Sequence, residues 1–159
     1  MTMHRAEDGI QTWIFQDNPK RYANLRMLGS QPGELWNLRQ YASEVRVGDR
    51  VYIWIAGEAA GIYAVGTVLT SPEVMVDSPL GIRQWTDPRE GQRMFPRVEV
   101  RFDRVMLDRP LLKQYLQTDP ILRDLTILRM PRATNYPLTE PQAAAIEEWL
   151  ADDPLYSGD

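Results

Sequence analysis

The apolar positions of the chain crowd into two runs, residues 51–55 and 62–69, inside the segment VGDRVYIWIAGEAAGIYAVGTVL that spans 47–69. β-Branched and aromatic residues on both sides of a Gly- and Ala-containing turn predict a β-hairpin with a loop longer than two residues. In the first run Val51, Ile53 and Ile55 alternate with Tyr52 and Trp54. Successive strand side chains point to opposite faces, so both faces of this strand are apolar, as in the middle of a small barrel. Gly61 and Gly66 leave the second run room to curve, and Gly48-Asp49 is the turn that launches the first.

The same pattern predicts the remaining elements. Residues 11–16 (QTWIFQ) read as a first strand, broken by Asp17-Asn18-Pro19. Pro19 suits the first turn of a helix capped by Asp17 or Asn18, with Tyr22, Leu25, Met27 and Leu28 as its apolar stripe and Gly29 at its end. After a Pro-Gly loop over 30–34, Trp36 opens a short helix carrying Leu38, Tyr41, Ala42 and Val45 at helical spacing. Residues 71–93 form a long polar segment punctuated by Pro72, Pro79 and Pro88, with Trp85 among few apolar neighbours. A loop of this length in a compact domain is functional or disordered. Along 95–107, Val98, Val100 and Phe102 face one way and Arg97, Glu99, Arg101 and Asp103 the other, the mark of a half-buried strand. Short helices over 110–117 and 119–124, a closing strand over 125–128, the loop RMPRATNYPLT and a last helix over 140–151 capped by Thr139 complete the order. Trp13 and Trp149 read as core residues.

Composition narrows the chemistry. With 159 residues, 43% of them hydrophobic, one domain with a real core is expected over 11–151, between a flexible N-terminus at 1–10 and a flexible acidic tail or linker stub at 152–159. No apolar run approaches the ~20 residues of a membrane span, and no apolar leader directs export, so a cytoplasmic protein is expected. There is no cysteine, and His4, in a polar terminal stretch, is the one histidine. Disulfides, thiolate metal sites, histidine triads and multi-histidine zinc sites are thereby removed, and no metal or cofactor is expected. The net charge of −4 is uneven: six acidic and no basic residues lie in 140–159, leaving 18 basic against 16 acidic residues elsewhere. Sixteen of the basic residues are arginine, whose planar fork suits phosphate and whose face suits stacking, although a GC-rich genome explains the bias equally well.

The run WNLRQYASEVRVGDRVYIWIAGEAAGIYAVGTV (36–68) resembles the core motif of the EVE domain: a tryptophan, a Gly-Asp turn, a strand ending near Trp-x-x-Gly, and a Gly-Ile-Tyr-Ala-x-Gly strand. The first strand with Asn18-Pro19, and RMPRATNYPLT followed by a helix, are similar to the family's two ends. The resemblance implies an α+β fold, a PUA-like small curved β-barrel of about five to six strands flanked by short helices, related to the YTH domains that read methylated adenine in RNA. It implies a non-catalytic reader that holds a flipped modified base (methylated or hydroxymethylated cytosine, or N6-methyladenine) in an aromatic cage. DNA is expected in preference to RNA, with a fused or associated nuclease as a possible partner and no membrane. Flipping a base costs a few kcal/mol, and each aromatic stack returns roughly 1–3 kcal/mol.

The resemblance also indicates residues, each with a plainer role beside it. Trp36 is a cage wall or a hydrophobic staple; Trp85 is a second wall or an exposed anchor; Trp54 is a core residue or the pocket floor. Asn18 reads a base edge or caps a helix. Asn37 offers its backbone carbonyl to an exocyclic amine or acts as a cap. Asn135 lines the cleft or holds a turn. Lys20, Arg21, Arg129 and Arg132 flank the pocket-forming segments and are phosphate ligands or solvated surface charges. The rival functions are a modified-RNA reader and a small-molecule or nucleobase sensor. An enzyme acting on nucleotides is the weakest, since Asp17 and Glu34 form no evident acid–base pair along the chain.

Overall fold

The computed structural model describes residues 9–151; residues 1–8 and 152–159, and with them the expected tail and most of the expected flexible N-terminus, lie outside the described residues. Among the described residues there are eight strands: β1 (Thr12–Asp17), β2 (Gly33–Asn37), β3 (Arg50–Ile55), β4 (Gly61–Val68), β5 (Glu73–Met75), β6 (Phe95–Val105), β7 (Leu111–Leu112) and β8 (Asn135–Pro137). Six of them form one mixed sheet in the order β2-β6-β4-β3-β1-β8, with β5 added to β6 and β7 to β4. The expected hairpin is β3–β4 at its centre, and β1 lies parallel to β3. The same residues hold six α-helices that flank the sheet: α1 (Asn24–Ser30), α2 (Pro79–Ile82), α3 (Pro88–Gln92), α4 (Lys113–Leu116), α5 (Thr126–Arg129) and α6 (Glu140–Ala151). Among the described residues no helix is long and apolar enough to cross a membrane.

The sheet curls into a half-barrel because its central strands are irregular. The β3–β4 register shifts between Ile53 and Trp54, and the β4–β6 register between Val65 and Gly66. Such bulges bend a strand and increase its twist. Strand approach is close here: a Cβ on Gly66 would sit 2.5 Å from the Arg101 carbonyl oxygen, a contact only glycine avoids. Curling separates two cores. Val51, Ile53 and Ile55 pack with Trp13, Phe15, Trp36, Val98 and Val100 on one face. Tyr52 and Trp54 pack on the other with Ile14, Tyr136, Leu116, Ile146 and Leu150 beneath α6. The Thr139 hydroxyl accepts from the Gln142 N–H (3.2 Å) and the Gln142 side chain accepts from the Thr139 N–H (3.0 Å), a capping box that starts α6.

The two ends of the sheet, β2 and β8, meet through side chains. Asn135 Oδ1 accepts from the backbone N–H of Arg39 (2.8 Å) and Gln40 (3.2 Å), and its Nδ2 donates to the Asn37 carbonyl (3.1 Å). In return Gln40 Oε1 accepts from the N–H of Thr134 and Asn135, both at 3.0 Å. Two amides thus replace a missing strand ladder. Asn135→Ala leaves several of these groups without partners, and chemical denaturation should show a loss of at least about 2 kcal/mol, the cost of stranding buried donors and acceptors.

Three expected elements are corrected. Trp36 does not open a helix: it lies on β2 opposite Val98, and 38–49 holds only turns, one of them closed by the Val45 N–H on the Tyr41 carbonyl (3.1 Å). The apolar spacing there is real but serves a loop that drops Leu38 and Val45 into the core. The first helix begins at Asn24 with Ala23 at its N-cap and no side-chain cap, so neither Asp17 nor Asn18 caps it. Asn18 Oδ1 accepts instead from the Lys20 N–H (2.9 Å), closing a turn. Finally, 125–128 falls at α5, and the closing strand is β8, drawn from the stretch read as loop.

Candidate functional site

The site is assembled by the polar segment 71–93, which folds over the β2–β6 end of the sheet. β5 pairs with the start of β6, and Arg97 of β6, assigned by alternation to the charged side of its strand, is buried beneath the segment. Its Nε donates to the Met75 carbonyl (3.0 Å), its Nη2 to the Arg93 (3.1 Å) and Glu90 (3.3 Å) carbonyls, and its Nη1 to Asn37 Oδ1. The Asp77 carboxylate lies 4.0 Å from Nη1. One planar guanidinium therefore ties the segment to both β2 and β6.

That clamp sets Trp85. Far from standing exposed, it is 9% accessible and packs edge-on against Tyr22, with ring centroids 4.9 Å apart and Met27 in the same small cluster. Its indole N–H donates to Asp77 Oδ2 (2.8 Å). An antiparallel bridge fastens Tyr22 to Trp85. The neighbours that bury Trp85 come from a segment some sixty residues earlier in the chain.

Trp36, Trp85 and Tyr22 line one cleft, together with Asp17, Glu34, Asn37, Arg21 and Arg39. It contains ≈ 390 Å³ of empty space, its open mouth included, of which the centres of water molecules can occupy only ≈ 40 Å³. That is room for about three waters, so a base ring enters only if a wall moves. Two of the lining arginines reach Glu90 of α3 through long ion pairs: Glu90 lies 3.9, 3.7 and 3.8 Å from Arg21, Arg39 and Arg93. Contacts of this length between part-exposed groups are weak. Arg39 also stacks over Phe95 at 5.1 Å. A wider groove, with ≈ 940 Å³ of empty space on the same measure, runs past Gln11, Arg50, Thr67 and Glu140, but no aromatic ring lines it.

The cleft is acidic within and basic at its rim. Tyr22 donates its hydroxyl to Glu34 Oε2 (2.8 Å), while Glu34 Oε1 is buried without a hydrogen-bond partner. Burial pushes the Glu34 carboxyl up to about 8, against the hydrogen bond from Tyr22 and helped by the negative charges of Asp17 and Asp77. Burial likewise raises Asp17 to about 6, opposed by the Asn18 N–H, the neighbouring Asn24 amide, and Arg21 and Arg39. Burial also raises the Tyr22 hydroxyl, with Glu34 beside it. For a carboxyl whose folded pKa is raised, the unfolded chain releases its proton first, so stability is full below the ordinary value and falls as pH climbs to the folded one. Thermal unfolding should therefore show stability declining from about pH 4.5 to about pH 8, a slope that Glu34→Gln reduces. Among the described residues, no group of three or more acidic, histidine or cysteine side chains is placed to hold a metal ion.

Of the residues singled out by sequence, Trp36, Trp85, Asn37 and Arg21 line this cleft. Trp54 does not; it is buried in the core on the opposite face of the sheet. Asn37 is committed through both of its oxygens, Oδ1 to Arg97 and the backbone carbonyl to Asn135. Asn135 is buried as the clamp described above, next to Thr134 of the cleft. Asn18 and Lys20 are exposed on the turn between Asp17 and Arg21. Arg129 is exposed and pairs with Asp124 (2.5 Å), and Arg132 is exposed two residues before Thr134. Sequence reasoning missed Tyr22 and Arg39 as lining residues, and saw Asp17 and Glu34 as unrelated although both reach one cleft. No local pattern marks any of the four.

A curled mixed sheet with short helices, and a cleft where its edge strand β2 meets a covering segment, give a PUA-like fold. Residues 11–149 match the EVE domain family, and the chain belongs to it. No curated protein matches the chain in sequence. Among solved structures, human THYN1 in complex with 5-methylcytosine-containing DNA superposes with a TM-score of 0.65 at 16% identity, covering 91% of this chain and 99% of that one. Protein Atu2648 from Agrobacterium tumefaciens gives a TM-score of 0.63 at 18% identity over 91% and 97% of the two chains. The YTH domain of Zygosaccharomyces rouxii MRB1, in complex with N6-methyladenosine RNA, gives 0.55 at 10% identity over 96% and 90%.

Proposed function

We propose that this protein is a reader of modified bases that takes a flipped base into the cleft between Trp36 and Trp85, acting on DNA in preference to RNA. The observation that carries the reading is the convergence of two tryptophans from distant segments on one cleft whose rim bears Arg21 and Arg39. Aromatic faces return the stacking lost on flipping, and the arginines meet the flanking phosphates. The complexes of human THYN1 with methylated DNA and of the MRB1 YTH domain with methylated RNA support a modified base as ligand, and the first, the better superposition, favours DNA. A fused or associated nuclease would turn such recognition into modification-dependent restriction. The protein itself acts as a binding module.

Tryptophan fluorescence titrations test this, using single- and double-stranded DNA and RNA oligomers with 5-methylcytosine, 5-hydroxymethylcytosine, N6-methyladenine or no modification, each at two salt concentrations. Preference for one modified DNA, weakening with salt as phosphate contacts require, is the expected result. Equal affinity for plain and modified oligomers overturns the reading, and salt-independent binding of free nucleosides replaces it with a small-molecule sensor.

A further inference from the structure

Among the groups around the cleft, Glu34 stands out as the one polar side chain that lines it, is deeply buried and has an atom to spare. It is 7% exposed, Oε2 accepts from the Tyr22 hydroxyl at 2.8 Å, and Oε1 has no partner. Burying an oxygen in this way costs stability, and such atoms in folded proteins call for an explanation.

On the reading of the protein as a base reader, we infer that Glu34 reads the edge of the bound base as a neutral carboxyl. Its O–H donates to the ring nitrogen, and its carbonyl oxygen accepts from the exocyclic amine of an amidine edge. Cytosine presents that edge at N3 and N4, adenine at N1 and N6. A carboxylic acid carries one donor and one acceptor side by side, whereas a carboxylate carries acceptors alone and would oppose the ring nitrogen's lone pair. The groups facing Glu34 favour the neutral form. Asp17 at the end of β1 and Asp77 before α2 both oppose a third negative charge, burial acts in the same direction, and the proton is held up to about pH 8. The Tyr22 hydroxyl favours ionisation, but burial outweighs it. Arg21 and Arg39 line the same cleft, yet Arg21 is 55% and Arg39 30% exposed, so water screens them.

The geometry of the edge also ranks the modifications. A methyl at C5 of cytosine flanks the exocyclic amine on the side away from N3 and leaves both N4 hydrogens in place. A methyl on N6 of adenine leaves one hydrogen, which faces Glu34 only when the methyl is turned away from N1. Cytosines substituted at C5 are therefore the better ligands of this site.

The test measures affinity for an oligomer with a single 5-methylcytosine, and for one with a single N6-methyladenine, from pH 6 to 9.5 with the wild type, Glu34→Gln and Glu34→Leu. Circular dichroism checks that each variant is folded. Wild-type affinity should be flat to about pH 7 and then fall, approaching tenfold per pH unit above about 8 as the donor is lost. Glutamine keeps a donor and an acceptor in the same shape, so Glu34→Gln should bind with no pH dependence, while Glu34→Leu loses tenfold or more. A flat wild-type profile, or Glu34→Gln binding no better than Glu34→Leu, overturns the role of Glu34 and leaves the reader intact. Failure of the wild type to bind either oligomer at any pH overturns both.

Discussion

Arg97→Met should lower the folding stability of this protein by about 3–5 kcal/mol, the usual cost of removing one partner of a buried ion pair. The guanidinium is fully buried, and its removal leaves the carbonyls of Met75, Glu90 and Arg93, the Asn37 side chain and the Asp77 carboxylate short of a donor or counter-charge. Burial lowers the pKa of Arg97 and raises that of Asp77, and each charge supports the other. Urea denaturation is the check. Arg97→Lys should recover less than half of the loss, because an ammonium cannot serve several acceptors in one plane. A loss below about 1 kcal/mol for Arg97→Met would show that segment 71–93 is held by other contacts.

Trp36→Ala should act on stability and binding together. The side chain is 4% exposed and packs near Phe15, with ring centroids 6.2 Å apart, so its truncation costs about 3–5 kcal/mol of stability. One lost base stack of roughly 1–3 kcal/mol corresponds to a roughly 5- to 150-fold drop in affinity for the modified oligomer. Trp54→Leu provides the contrast, since Trp54 is as deeply buried but lies in the core on the other face of the sheet. It should lower the denaturation midpoint and leave affinity within about twofold for whatever remains folded. Equal effects of the two substitutions on affinity would mean that Trp36 matters only as a core residue.

The central hairpin, the first strand and the last helix were legible because each carries its own pattern: alternation in Val51–Ile55, an apolar run at Trp13–Phe15, a capping threonine at Thr139. β2 was not, because Gly33–Asn37 is short and becomes a strand by pairing with β6, while the apolar spacing after it imitates a helix. The same limit applies to the site. Trp85 sits among polar neighbours in the chain and is buried by Tyr22 and Met27, which only the fold brings near. Arg97 follows the alternation of a solvent-facing residue and is covered because segment 71–93 folds over it and offers the carbonyls of Met75, Glu90 and Arg93 to its guanidinium. Tryptophan identity and family resemblance pointed at Trp36 and Trp85, but their shared cleft, and the carboxyl of Glu34 within it, are products of topology.

The most direct measurement is the ¹H–¹⁵N spectrum of the five tryptophan indoles during titration with a 5-methylcytosine oligomer. The indole resonances of Trp36 and Trp85 should shift together with saturation, while those of Trp13, Trp54 and Trp149 stay within the changes produced by unmodified DNA. Binding that leaves Trp36 and Trp85 unmoved would contradict a base seated between them.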